Sequence, residues 1–253
     1  MSKTFLLTVA LMVGASCGSH TILQTSHTAV SQSSPTPPSP TSPIAENRRD
    51  VSNDAEKKQD VPPAFKNIDF KNFSYPIGGM KAFIRLKDGK YEYDHEHYKE
   101  LGDGWVDFSA VNYSDVTGDG REEAIVQLIW VACGVSCDGG SHLFYFYSIA
   151  NGSVKLISRI ETGSIAYTCG LKSFVLRRQS LALEAFRRCR FNGVTLESPD
   201  DADVGGNKFT AQEFTRLTFE FNERRFVLKK REVLRNPETN VKNYEPRIDI
   251  SKD

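Results

Sequence analysis

The sequence lacks three things: an excess of charge of one sign, an apolar run long enough to span a bilayer, and a sustained helical period. Lysine plus arginine number 32, as do aspartate plus glutamate, so the formal net charge is zero. A nucleic-acid binder shows a basic excess on its surface, so no nucleic-acid partner is expected. The apolar run closest to membrane length, Phe5 to Val13, is too short to cross comfortably. Catalytic signatures are missing as well. Ser74, Ser141 and Ser173 have no G-x-S-x-G context. His95-Glu96-His97 has neither a third ligand nor the H-E-x-x-H spacing of a helical metal site. His142 falls within an expected strand. No enzyme activity is therefore expected.

What the N-terminus does contain is an address. Lys3 is followed by FLLTVALMV, of the right length for a secretory signal. GASCGS comes next, with small residues before Cys17. This arrangement resembles the lipobox of bacterial lipoproteins, with Gly14 standing where a branched aliphatic residue is usual. The resemblance implies removal of residues 1–16, palmitate-type acyl chains on Cys17, and a membrane-anchored lipoprotein of the bacterial cell envelope, in the outer membrane or at the cell surface. The alternative is an ordinary signal peptide cleaved near Ala15 or Ser16, giving a plain secreted domain. Residues 17–63 include SQSSPTPPSPTSP, rich in Ser, Thr and Pro and without an aromatic residue. Such a segment cannot bury enough apolar area to offset the entropy of ordering it. It is expected to be a disordered tether between anchor and head.

Cys17 aside, four cysteines remain: Cys133, Cys137, Cys169 and Cys189. An even number in an exported chain points to two disulfides, with three possible connectivities. SFVLRR and LALEAFRR read as two strands meeting near Gln179, which sets Cys169 opposite Cys189. Cys133 would then pair with Cys137 within CGVSC. The rival is a four-cysteine zinc site, which normally shows two tight pairs, whereas one pair is tight here.

The head, residues 64–253, reads as all-β. Turn signals punctuate alternating strands: Lys87-Asp88-Gly89, Asn151-Gly152, Arg178-Gln179-Ser180 and Asn222-Glu223. Leu217, Phe219 and Phe221 alternate with Thr218 and Glu220. EHYKELG is the one short helix candidate. About ten antiparallel strands in hairpins are expected, as a sandwich, open barrel or partial propeller. No internal repeat supports a full propeller.

One stretch carries chemistry. Asp115-Val-Thr-Gly-Asp-Gly-Arg-Glu-Glu123 places acids and glycines directly before the apolar run AIVQLIWVA. Calcium takes six to eight oxygen ligands at about 2.3–2.6 Å. Alternate residues of a tight loop supply them: carboxylates from Asp115, Asp119 and Glu123, the Thr117 hydroxyl or a bridging water, and the Arg121 carbonyl, leaving the Arg121 side chain free. Gly118 and Gly120 let the chain turn. The stretch resembles the strand-loop-strand calcium loop of FG-GAP and VCBS-type repeats over Phe108 to Val131. Thr117 replaces the usual Asp or Asn, and Glu123 replaces Asp. The resemblance implies Ca2+ as cofactor and a β-rich extracytoplasmic module, often one used for binding. A metal-free hairpin turn uses the same residue types.

Three weaker features remain. CDGGSH is a Gly-Gly turn braced by a disulfide, or a binding rim. Two basic clusters, Arg177/Arg178/Arg187/Arg188/Arg190 and Arg224/Arg225/Lys229/Lys230/Arg231, are solvated strand faces or a surface for anionic polymers. The acidic stretch from Pro199 to Asp203 reads as a flexible loop. The expectation is an envelope lipoprotein with a calcium-stabilised β module, binding or structural in role, its partners a membrane through the anchor and an envelope protein or polysaccharide. The rival is a glycan hydrolase with two carboxylates about 5–9.5 Å apart.

Overall fold

A computed structural model describes residues 61–78, 83–96, 102–133, 137, 140–165, 168–199, 210–238 and 240–251. The signal segment, Cys17, the tether to residue 60, most of the helix candidate and the acidic stretch at 200–203 lie outside the described residues.

Two short strands come first, β1 (Ser74–Tyr75) and β2 (Ile84–Arg85), paired antiparallel. Five strands then form one antiparallel sheet in chain order: β3 (Lys90–Tyr93), β4 (Asp103–Ser114), β5 (Glu123–Cys133), β6 (Ser141–Ala150) and β7 (Ser153–Glu161). The turn from β6 to β7 holds Asn151 at φ 52° and Gly152 at φ 73°, so Ala150 faces Ser153. Positive φ at both central residues matches the twist of a tight hairpin, which is why Asn-Gly marks it. The turn at Lys87-Asp88-Gly89 forms as well, closed by bonds between Lys87 and Lys90. Its flanking strands do not pair as one long hairpin: β2 joins β1, while β3 joins β4.

The second sheet draws on β8 (Leu171–Arg177), β9 (Ser180–Phe186), β12 (Glu213–Phe221), β13 (Phe226–Arg235) and β14 (Arg247–Ser251), in the order β13-β12-β9-β8-β14. A small pair, β10 (Arg190–Phe191) and β11 (Leu196–Glu197), lies between β9 and β12 in the chain. All contacts within the second sheet are antiparallel except one: β14 runs parallel to β8. Hairpin reasoning missed this pairing, because a parallel partner leaves no turn signal between its strands.

The two sheets share one core, so the fold is a sandwich. Phe144 of β6 stacks on Phe174 of β8 with centroids 3.9 Å apart, and Phe146 meets Phe226 at 4.8 Å. Leu181, Leu183, Leu217 and Phe219 complete that layer, all fully buried. The other face of the first sheet is covered by the segment around β1 and β2. Phe65, Phe70, Tyr75, Ile77, Ile84 and Leu86 pack there against Tyr145, Tyr147 and Val126. Covered on both sides, β5 is buried at every position from Glu123 to Leu128, which accounts for its unbroken apolar run.

Both disulfides form as the sequence favours, Cys133 with Cys137 and Cys169 with Cys189, with Cα atoms 4.3 and 5.8 Å apart. The turn of the hairpin that leads to the second bridge is Arg178-Gln179 alone, at the end away from the bridge, with Arg177 facing Ser180. The register shifts between Leu171 and Ser173, and the bridge lies beyond that shift. Buried Thr215 braces this end: its hydroxyl donates to the Arg187 carbonyl at 2.8 Å and accepts from the Cys189 amide at 2.9 Å.

Candidate functional site

The acidic stretch is the connection between β4 and β5, with Ser114 facing Glu123 where the strands part. Val116 is fully buried in the sandwich core and pins the loop to the sheets. Asp115 turns back on the loop: one carboxylate oxygen accepts the Gly118 amide at 2.7 Å, the other the Gly120 amide at 3.0 Å. Both glycines sit at positive φ, 78° and 82°. Gly118 is required twice over, since a Cβ there would lie 2.3 Å from the Gln179 amide nitrogen. Gln179 comes from the β8–β9 turn. Its side chain donates to the Thr117 carbonyl at 2.7 Å and its carbonyl accepts from Phe221 at 2.8 Å. The loop is thereby tied to the second sheet.

Glu123 is 2% exposed. Its Oε2 accepts the amides of Val116 and Thr117 at 2.9 and 3.0 Å, and the Thr117 hydroxyl lies 3.4 Å from Oε1. Burial pushes its carboxyl above the usual range, those two amides pull it back, and the charges of Asp119 and Asp115 push it further up. Asp119 faces outward and is held below the usual range, chiefly by the Arg121 side chain. Arg121 donates from its backbone at 2.9 Å and from Nε at 3.0 Å.

These residues fit a hard cation in donor type and charge. As arranged, the loop is knit by its own amides. Among the described residues no group of three or more His, Cys, Asp or Glu side chains is placed to hold a metal ion. The Arg121 side chain, expected to be free, is bound to Asp119. The physical reason is proximity: an exposed guanidinium two residues away neutralises the carboxylate. Thr117 likewise turns its hydroxyl toward Glu123 and gives its carbonyl to Gln179.

The weaker candidates resolve into structure. His95 pairs with Asp103 at 3.2 Å on the surface, and His97 lies outside the described residues. His142 is pushed down to about 4 by burial, so it is neutral at physiological pH, and it shares a 3.1 Å contact with Gln127. Much of the basic clusters is paired: Arg177 with Asp249, Arg188 with Glu213, Lys229 with Glu220, Lys230 with Glu232. Within CDGGSH, Asp138 and Gly139 lie outside the described residues, and a Cβ on Gly140 would lie 2.6 Å from Ile129, so Gly140 packs against β5.

Two surface grooves were not legible in the sequence. A wide one, about 1320 Å3, runs beside β4 and includes Asp69, Asp88 and Asp107. Asp69 is held below the usual range by Asn72 and the Lys71 backbone, the reverse of what a general acid needs. A second, apolar groove of about 650 Å3 follows β7. Its walls come from segments distant in sequence, so no local signal could mark it.

No protein-family profile, curated protein or solved structure matches this chain. Function must therefore be argued from the residues.

Proposed function

We propose that the chain is an exported lipoprotein of a bacterial cell envelope, in which a Ser/Thr/Pro-rich tether carries a β-sandwich head whose role is binding rather than catalysis. The observation that carries this reading is the pairing of all four head cysteines into two disulfides. Stable disulfides belong to oxidising compartments, and the fifth cysteine, Cys17, stands directly behind a signal-like apolar stretch. Cys17 then has a separate task, acylation, and the tether sets the head off from the membrane. The test is mass spectrometry of the protein isolated from its native membrane fraction. The expected species begins at Cys17 and carries two or three acyl chains. A chain retaining Met1, or one trimmed at residue 15 or 16 and free in the medium, overturns the anchor.

Calcium at the acidic loop is a second reading, favoured by one observation. Glu123 is buried beside two further carboxylates whose charges raise its proton affinity, and a divalent cation would relieve the same repulsion. Binding would require Asp119 to leave Arg121. Calorimetric titration with calcium is expected to give heat that Glu123→Gln abolishes. Absence of heat, together with a melting temperature unmoved by chelator, leaves a self-sufficient turn.

A further inference from the structure

β7 is an edge of the first sheet, and most of its outer rim carries no partner strand. Backbone groups along a strand point alternately to either side. The Thr162 amide donates to the His142 carbonyl at 2.9 Å, toward β6, and the Glu161 amide donates outward, to the Val194 carbonyl at 2.9 Å. Arg159 therefore turns its N–H and C=O outward as well. Ile157 is the extra residue of a bulge, since Phe146 faces Ser158 while Tyr147 faces Leu156. Beyond the bulge, Leu156 and Val154 face outward, because the tight turn pairs Ser153 with Ala150. None of these three residues finds a backbone partner on that side among the described residues.

That rim borders a groove. Phe73, Pro76 and Phe83 wall it from the segment around β1 and β2, and Gly193, Val194 and Arg225 wall it from the β10–β11 and β12–β13 turns. Phe83 is 64% exposed, so the first wall offers apolar surface. The second offers charge. Arg225 has no ion pair among the described residues, and no Asp or Glu lines the groove. The Arg159 side chain is engaged by the Pro76 carbonyl at 2.9 Å and by Glu161 at 3.5 Å, so only its backbone is on offer. At the far end of the rim a neighbour has already docked: Thr195 bridges Glu161 in parallel. The long edge of the second sheet, β13, differs. It carries Lys229, Lys230 and Arg231 in succession, all exposed, a device that deters strand pairing. β7 is half-buried from Leu156 to Arg159.

We propose that this rim takes up one extended segment of a partner protein as a sixth strand of the first sheet. The backbone groups of Val154, Leu156 and Arg159 pair with those of the segment. Alternate side chains of an added strand point to opposite faces. The segment therefore presents apolar residues to Phe73 and Phe83 and an acidic residue to Arg225. A second copy of this chain fits poorly, because its long edge β13 would bring further cations to Arg225. The inference deepens the binding role proposed above and is independent of the anchor: the acyl mass on Cys17 reads one, a peptide titration the other.

The test uses the purified full chain and the peptide N-acetyl-Leu-Glu-Leu-Glu-Leu-amide, which sets leucines and glutamates on opposite faces. Amide hydrogen exchange comes first, read by NMR. In the free chain the amides of Val154, Leu156 and Arg159 are expected to exchange far faster than those of Lys155 and Ile160, which face β6. Saturating peptide should slow the three at least tenfold. Calorimetry then separates strand pairing from apolar adhesion. N-methylating peptide residues 2 and 4, or residues 3 and 5, should weaken binding more than tenfold in one set and less than threefold in the other, because only alternate amides can face β7. Exchanging both glutamates for lysine should weaken it at least tenfold, and Arg225→Ala by about fivefold, the worth of one exposed ion pair. Rim amides already protected in the free chain, no slowing by peptide, equal loss in both methylated sets, or equal affinity for the glutamate and lysine peptides overturns the proposal. So does a dimer in sedimentation that Val154→Pro dissociates, since the rim would then belong to a second copy.

Discussion

The two sheets of the sandwich solve the same burial problem differently. The first is covered on both faces, by the second sheet and by the segment around β1 and β2, so β5 and β6 are buried at five or more consecutive positions. The second is covered on one face along most of its length, and only at one end do Val241 and Tyr244 close over Phe186 on the other. Along β12, Leu217, Phe219 and Phe221 are buried while Arg216 and Glu220 are exposed. Its outer face carries a charge ladder instead: Lys172 to Glu184 at 3.0 Å, and Arg216 to Glu184 at 2.6 Å. The lesson is that apolar period reports how many faces of a strand are covered. A continuous run says two, and an alternating run says one.

The comparison breaks most severely at the layer both sheets share. Phe174→Ala removes the partner of Phe144 and should cost about 3–5 kcal/mol, as truncation of a buried ring does, read as the shift in a urea melt. Next come the disulfides. Replacing Cys169 and Cys189 together by serine opens a link spanning 20 positions and should cost about 3 kcal/mol on the loop-entropy account. The Cys133–Cys137 link spans 4 positions, so losing it should cost less. If the two losses are equal, native-state packing rather than loop length sets their worth.

Smaller and opposite effects should come from one glutamate in each sheet. Burial pushes Glu184 up, but Arg216 and Lys172 pull it below the usual value of 4.5. The stability it contributes is therefore present above that value and lost as pH falls. Glu123 lies above 4.5. Its contribution is present below that value and lost as pH rises through its folded pKa. Between pH 4 and 7, the melting-temperature gap between wild type and Glu184→Gln should widen in favour of wild type. The gap for Glu123→Gln should move the other way. Parallel trends would mean that amide bonds, not burial, dominate at Glu123. The smallest effect belongs to the outer ladder: Arg216→Ala should cost no more than about 1 kcal/mol, reduced further by salt.

Legibility followed locality. The Asn151-Gly152 turn, the β8–β9 and β12–β13 hairpins and the strands flanking the acidic loop were all readable, because each rests on residues within a few positions of one another. Cys169 and Cys189 were paired correctly from a turn placed half a residue off. The register shift at Leu171/Ser173 carries Cys189 two positions past the point facing Cys169, and the side chains still span that offset. At the acidic loop, the roles of Asp115 and Gly118 as turn makers were visible. The capture of Asp119 by Arg121 and the reach of Gln179 into the loop were not, since one is a choice of rotamer and the other a contact between positions 62 apart. The groove along β7 was illegible for the same reason: Phe83, Leu156 and Arg225 meet through topology alone.

The parallel strand β14 has a consequence for how the chain matures. It lies beside β8, with Asp249 bound to Arg177 across 72 positions of sequence, and the Ser251 carbonyl accepts from Ser114 at 3.0 Å. Until residues 247–251 arrive, β8 presents a bare edge and the acidic hairpin lacks that clasp. A chain made from its N-terminus would thus complete both contacts last.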